Sequence, residues 1–184
     1  SRRAQRHLSQ RLAALRTVHL FRSLTEPELE TLAKGLHHVI YTTGETMTRQ
    51  GAVAHYLYVM TEGTAEVRTK FDPDGDGPMP AQTMLVAALS APDFFGEMGL
   101  MTGEPRMADV VATSDVDCFR LGKETVEQVL LKRPEIATEL SEKLATRRVE
   151  LIAVREGLDA NARQARQARE RDRILGSIKS FFGL

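Results

Sequence analysis

Between two apolar runs lies FFGEMGLMTGEPRMADVVA, residues 94–112, which places Glu97 and Arg106 around a Gly-rich turn. The planar fork of an arginine matches a phosphate with two hydrogen bonds. Gly96 lets backbone come close to a ligand, and a short helical turn starting there points free N–H groups outward, an arrangement that holds an anion. Glu97 cannot favour a phosphate, but its carboxylate accepts hydrogen bonds from a sugar hydroxyl. An acid for a ribose, an arginine for a phosphate and backbone donors between them describe a nucleotide site that needs no metal. The structural alternative is an ion bridge between Glu97 and Arg106 that merely closes a loop.

Such a site must be held by its neighbours. SQRLAALRTVHLF is read as a helix, with Leu12, Leu15 and Val18 near one face. LTEPELETLAKGL is read as a second helix: Thr25 is the N-cap, Pro27 sits in the first turn, Glu28 completes a capping box and Gly35 ends it. Residues 38–121 hold short β-branched and aromatic runs cut by Gly44, Gly51 and Gly63, which predicts an antiparallel sandwich or roll. Beyond it the period becomes helical. Pro134 marks a helix start, and Ile136, Leu140, Leu144, Leu151, Val154 and Leu158 form an apolar seam on which Arg147 falls. DANARQARQARERDR is either a solvated helix or a flexible linker. RILGSIKSFFGL is a short amphipathic end, suited to packing on protein or lying on a membrane surface.

The stretch 94–112 resembles the phosphate-binding cassette of the cyclic nucleotide-binding domain family. The glycines of YTTGETMTRQGAVAHYLYVMTEGTAEV and the order helix, roll, cassette, roll, long helix are similar too, over residues 17–150. The resemblance implies an α+β fold: an antiparallel β-roll, a double-stranded β-helix of jelly-roll type, flanked by N-terminal helices and a long C-terminal lid helix. It divides the chain into a connector helix (1–16), the binding domain (17–158, roll 38–121, lid helices 122–158) and a polar linker with an amphipathic tail (159–184). By position, Glu97 would bind the ribose 2′-hydroxyl and Arg106 the cyclic phosphate. Backbone of Gly96, Met98, Met107 and Ala108 would line the phosphate end, with Gly99 in the same turn. Val67 would pack on the base, and Arg147 would meet it from the lid. Met107 stands where relatives often carry a small residue or a hydroxyl, and it cannot donate to a guanine. The implied ligand is therefore cAMP before cGMP, with no further cofactor.

Other chemistry finds little footing. The 184 residues carry zero net charge, so no global field recruits nucleic acid. Cys118 is the only cysteine, which excludes an internal disulfide. No apolar run reaches the ~20 residues of a membrane span. Asp72, Asp74, Asp76 and Gly77 match the start of a calcium loop, but its closing acid is replaced by Thr83, so a polar strand connection is expected. His37 and His38 are adjacent and point to opposite faces of a strand. No catalytic set or Walker sequence is present, so the chain is read as a regulator rather than an enzyme. RRAQRHLSQRLAALRTVHLF and the FFGL ending look similar to bacterial cyclic nucleotide-gated channels of the small-conductance mechanosensitive type. That similarity implies a pore domain upstream, a homo-oligomer and a place at the cytoplasmic face of the bacterial inner membrane. The alternatives are a catabolite-activator-like regulator without its DNA-binding part, or an assembly module with a relic cassette.

Overall fold

A computed structural model of the chain describes residues 1–71 and 82–184. The calcium-loop positions Asp72, Asp74, Asp76 and Gly77 lie outside the described residues. The N-terminal part comprises α1 (Arg2–Arg16), a 3-10 turn at His19–Phe21 and α2 (Glu26–Lys34). The roll follows: β1 (His37–Tyr41), β2 (Thr46–Thr48), β3 (Tyr56–Glu62), β4 (Thr64–Phe71), β5 (Gln82–Ser90), β6 (Asp93–Phe95), α3 (Glu97–Thr102), β7 (Asp109–Ala112) and β8 (Val116–Gly122). Three helices complete the chain: α4 (Lys123–Lys132), α5 (Glu135–Glu156) and α6 (Ala160–Phe182).

The strands form two four-stranded antiparallel sheets, ordered β1-β8-β3-β6 and β2-β7-β4-β5. The expected α+β roll is what the chain builds. Strand β3 shows why the layers stack as they do. Side chains alternate across a strand, so Leu57 and Val59 enter the core shared with the helices, while Tyr58 and Met60 enter the core between the sheets. In β8, Leu121 and the partly buried Phe119 face the helices, and Val116 and Cys118 face the other sheet. The first sheet is thus buried on both faces. Burial pushes the Cys118 thiol up to about 12, where it is inert as a nucleophile. Strand β5 is the free edge of the second sheet, and its Met84, Leu85 and Val86 are exposed.

The helices depart from the sequence reading in three ways. The first helix begins at Arg2 and ends at Arg16, and a separate 3-10 turn carries Leu20 and Phe21 into the core. It is more than a solvated connector. Ala14 and Leu15 are buried, and Arg11 Nη1 donates to the carbonyls of Ala33 and Leu36 at 3.2 and 2.7 Å, satisfying the exposed end of α2. The polar stretch after Asp159 is a helix, continuous with the amphipathic end. Ile174, Ile178 and Phe182 bury that end against this chain itself. Of the expected seam of α5, Ile136, Leu140 and Leu144 are buried, and the side chains of Leu151 and Val154 lie outside the described ones; the buried stripe includes Val149 and Ala153, which puts Arg147 beside it rather than on it.

The capping box of α2 forms as read, with Thr25 and Glu28 exchanging hydrogen bonds. The same Glu28 carboxylate takes both Nε and Nη2 of Arg133 at 2.9 Å, which ties α2 to the corner between α4 and α5. The Arg133 guanidinium, with the Thr25 amide, holds the Glu28 carboxyl near about 2, below its ordinary 4.5. A depressed acid stabilises the folded state above its unfolded value, and that stability is lost as pH falls toward the folded value. Glu28→Gln should therefore lower the urea midpoint at pH 7, and the gap to wild type should close between pH 5 and about 2. A gap independent of pH would remove the ion pair as its cause.

Candidate functional site

Strand β6 delivers the chain to Gly96, which takes a φ of +88° and starts α3. Arg106 enters this turn on a fixed backbone. Its N–H donates to Ala52 O at 2.9 Å, and its carbonyl accepts from Gly51 N at 2.7 Å. The guanidinium lies beneath the turn, 7% exposed. Nη1 donates to Gly96 O at 2.9 Å, Nη2 donates to Tyr56 O, and the buried Nε has no partner. The two glycines make room for it: a Cβ on Gly96 would sit 2.5 Å from Nη1, and one on Gly99 2.8 Å from it. Among the described residues no carboxylate pairs with this cation. Burial pulls the Arg106 pKa down, with Tyr58 and Glu97 opposing. A buried cation hydrogen-bonded to carbonyls and set over the Tyr58 ring, with one donor unused, is a place where an anion would be stabilised.

Glu97, the first residue of α3, does not close an ion bridge with Arg106. It pairs with Arg147 Nη1 at 3.0 Å, and its side chain is 17% exposed. Arg147 also lies over the Phe94 ring, 4.8 Å from its centroid. The sequence reading brought Arg147 to the site as a base contact. The geometry brings it to the acid instead. The next residue, Arg148, reaches the cassette's second acid, Glu104, at 3.8 Å, and Arg173 of α6 reaches it at 3.2 Å. Glu170 pairs with both arginines, at 3.9 and 3.0 Å. Both long helices thus grip the cassette through its carboxylates. Phe181 adds an apolar grip under Gly103, at the end of α3.

The remaining expected residues are placed as follows. Gly99 is buried and Met98 partly so. Ala108 is half-buried, while Met107 is 71% exposed and its sulfur accepts from Arg148 Nη2 at 3.9 Å. Val67, on β4, faces the space between the sheets opposite Val110. Sequence reasoning missed Tyr56, whose carbonyl holds Arg106, and Phe94, the platform for Arg147. It also missed the clasp of Arg148 and Arg173 on Glu104. A main-chain acceptor leaves no mark in a side-chain pattern. Phe94 stood inside the quoted stretch without a role.

The glycine argument is testable. Gly96→Ala forces a side chain into the left-handed region and against both Arg106 and Tyr56 O, 2.7 Å from the new atom. It should cost about 1–3 kcal/mol in urea unfolding. Gly176→Ala, in α6 with open space around it, should instead stabilise by up to about 1 kcal/mol. Equal effects at the two positions would remove the close approach as the reason for Gly96.

The sequence model of the cyclic nucleotide-binding domain matches residues 38–133. The cAMP-dependent protein kinase regulatory subunit of Colletotrichum orbiculare is 35% identical over 116 residues, covering 63% of this chain and 27% of that one. This chain therefore spans well under a third of that relative. Among solved structures, the regulatory domain of Toxoplasma gondii PKA with cAMP is similar at a TM-score of 0.60 and 26% identity, covering 69% of this chain and 46% of that one. The N-terminal domain of a transcriptional regulator from Streptomyces coelicolor A3(2) reaches a TM-score of 0.62 at 26% identity, covering 80% and 97%. With the match spanning more than half of the residues, and an arginine, an acid and two glycines gathered in one turn of one roll, this chain belongs to the cyclic nucleotide-binding domain family.

Proposed function

We propose that the chain is a regulatory module that binds a cyclic nucleotide at the Glu97–Arg106 turn and transmits occupancy to α5 and α6. The observation that carries this reading is the buried guanidinium of Arg106, which lacks an anionic partner and has its Nε unused. A cyclic phosphate would supply the missing charge. Glu97 Oε1 is engaged by Arg147, which leaves the carboxylate's other oxygen to accept a ribose hydroxyl. Arg147 would then orient the acid rather than read the base. Met107, without a donor for guanine, supports cAMP over cGMP. The module acts by linkage: ligand shifts the helices only by the difference in its affinity for their two arrangements.

The effector is a separate matter. The relatives above are named for kinases and for a transcriptional regulator, which supports regulation as the class. The finer reading, a pore upstream in a bacterial homo-oligomer at the inner membrane, rests on the first twenty residues and the FFGL ending. No helix among the described residues is long and apolar enough to cross a membrane. Phe182 of that ending is buried in this domain's own core, so its apolar character needs no bilayer to explain it.

Calorimetric titration of the chain with cAMP and cGMP tests the binding reading. cAMP should bind more tightly than cGMP. Arg106→Ala should weaken it by tens- to thousands-fold, the usual loss of about 2–5 kcal/mol when one member of a buried charge pair is removed. Arg147→Ala should cost no more than about fivefold, the share of a half-exposed ion pair. Heat that is absent for both nucleotides would leave an assembly module with a relic cassette.

A further inference from the structure

Tyr56 faces two ways. Its carbonyl accepts Arg106 Nη2, and its ring carries the guanidinium of Arg120, with Cζ 4.2 Å from the centroid. Arg120 lines a cavity of about 460 Å³ that contains neither Glu97 nor Arg106. His37 of β1, His55, Tyr56 of β3 and the first residues of α4, Lys123 and Glu124, complete its wall. Arg120 Nε is buried and without a hydrogen-bond partner. Lys123 Nζ rests on the Phe181 and Phe182 rings, 4.1 and 5.9 Å from their centroids. Among the described residues neither cation has a carboxylate within ion-pair distance, although Glu124 is next to Lys123 in the chain. Other arginines of this neutral chain find acids: Arg16 pairs with Glu26, Arg133 with Glu28 and Arg173 with Glu104.

Helix α4, ten residues long, opens into the same cavity with Gly122 as N-cap and no side chain capping it. Its first amides therefore add partial positive charge to that of Arg120 and Lys123. Two cations without a carboxylate partner among the described residues, two imidazoles and an uncapped helix start line a space wider than one ion.

We propose that this cavity is a second anion site, which takes a small phosphate monoester or diphosphate. The chemistry follows from the donors. The Arg120 fork matches two oxygens of a tetrahedral anion, and the Lys123 ammonium adds a point charge for a third. Two cations face the anion, and Glu124 in the same wall keeps their charge from being in excess. The site is independent of the cyclic nucleotide reading, because Glu97 and Arg106 contribute nothing to its wall.

The test is a titration of inorganic pyrophosphate into the full chain, followed by amide chemical shifts, with and without saturating cAMP. Saturable shifts at Arg120, Lys123, Glu124 and Thr125 are expected in both conditions. Lys123→Gln should weaken them about tenfold, the loss of one charge-assisted contact. Arg106→Ala should leave them in place. Arg120→Gln is the companion variant, and where it lowers the thermal midpoint, Lys123→Gln on the outer turn of α4 decides. Shifts confined to residues 96–99 and abolished by Arg106→Ala would overturn the proposal, as would shifts that never saturate or that ignore Lys123→Gln.

Discussion

The cassette is organised around the cost of burying one charge. Moving a guanidinium out of water costs several kcal/mol unless fixed dipoles replace the solvent. Here two carbonyls do so, from Gly96 and Tyr56, which belong to different segments of the roll. Their convergence needs the left-handed turn at Gly96, the bare face of Gly99 and the two backbone hydrogen bonds that hold Arg106 to the Gly51–Ala52 turn. Remove the guanidinium and each of these features loses its reason. Two carbonyls replace water only in part, and the unused Nε is the remainder.

From that centre the structure becomes a balance of carboxylates. Glu97 and Glu104 bracket the turn, and consecutive residues of α5, Arg147 and Arg148, take one each. Arg173 adds a hold from α6. Half-exposed ion pairs of this kind contribute little individually and are easily exchanged. That would suit helices that respond to a ligand, as proposed. The apolar contacts of Ile174, Ile178 and Phe182 anchor α6 independently of these charges.

Much of this was legible in the sequence, and what was not has physical reasons. The capping box of α2 could be read because its signal is local and complete within a few residues. The roll could be read because β-branched runs and glycines alternate at strand length. Glu97 and Arg106 could be placed because their residue types and spacing describe an anion beside a hydroxyl. The seam of α5 was legible at Ile136, Leu140 and Leu144, but Arg147 was set on it rather than beside it because two buried positions, Ala145 and Ala153, are small and make no visible apolar stripe. Helix α6 stayed open between helix and linker because its first half has no apolar period. Its order comes from contacts with the preceding helix α5 and with α3, far earlier in the chain. The second role of Glu28, as a partner of Arg133, lies 105 residues from its capping role, beyond any local pattern.

That separation bears on how the domain comes into being. On the ribosome, α1 and α2 are made well before their partners: Ser23 bonds Glu139 across 116 positions, and Glu28 waits for Arg133. Glu104 meets Arg173 only after a further 69 residues. Such long loops must close before their contacts give any return, which slows folding. The cassette is therefore synthesised before the helices that clasp it, and the clasp is complete only once α6 has emerged.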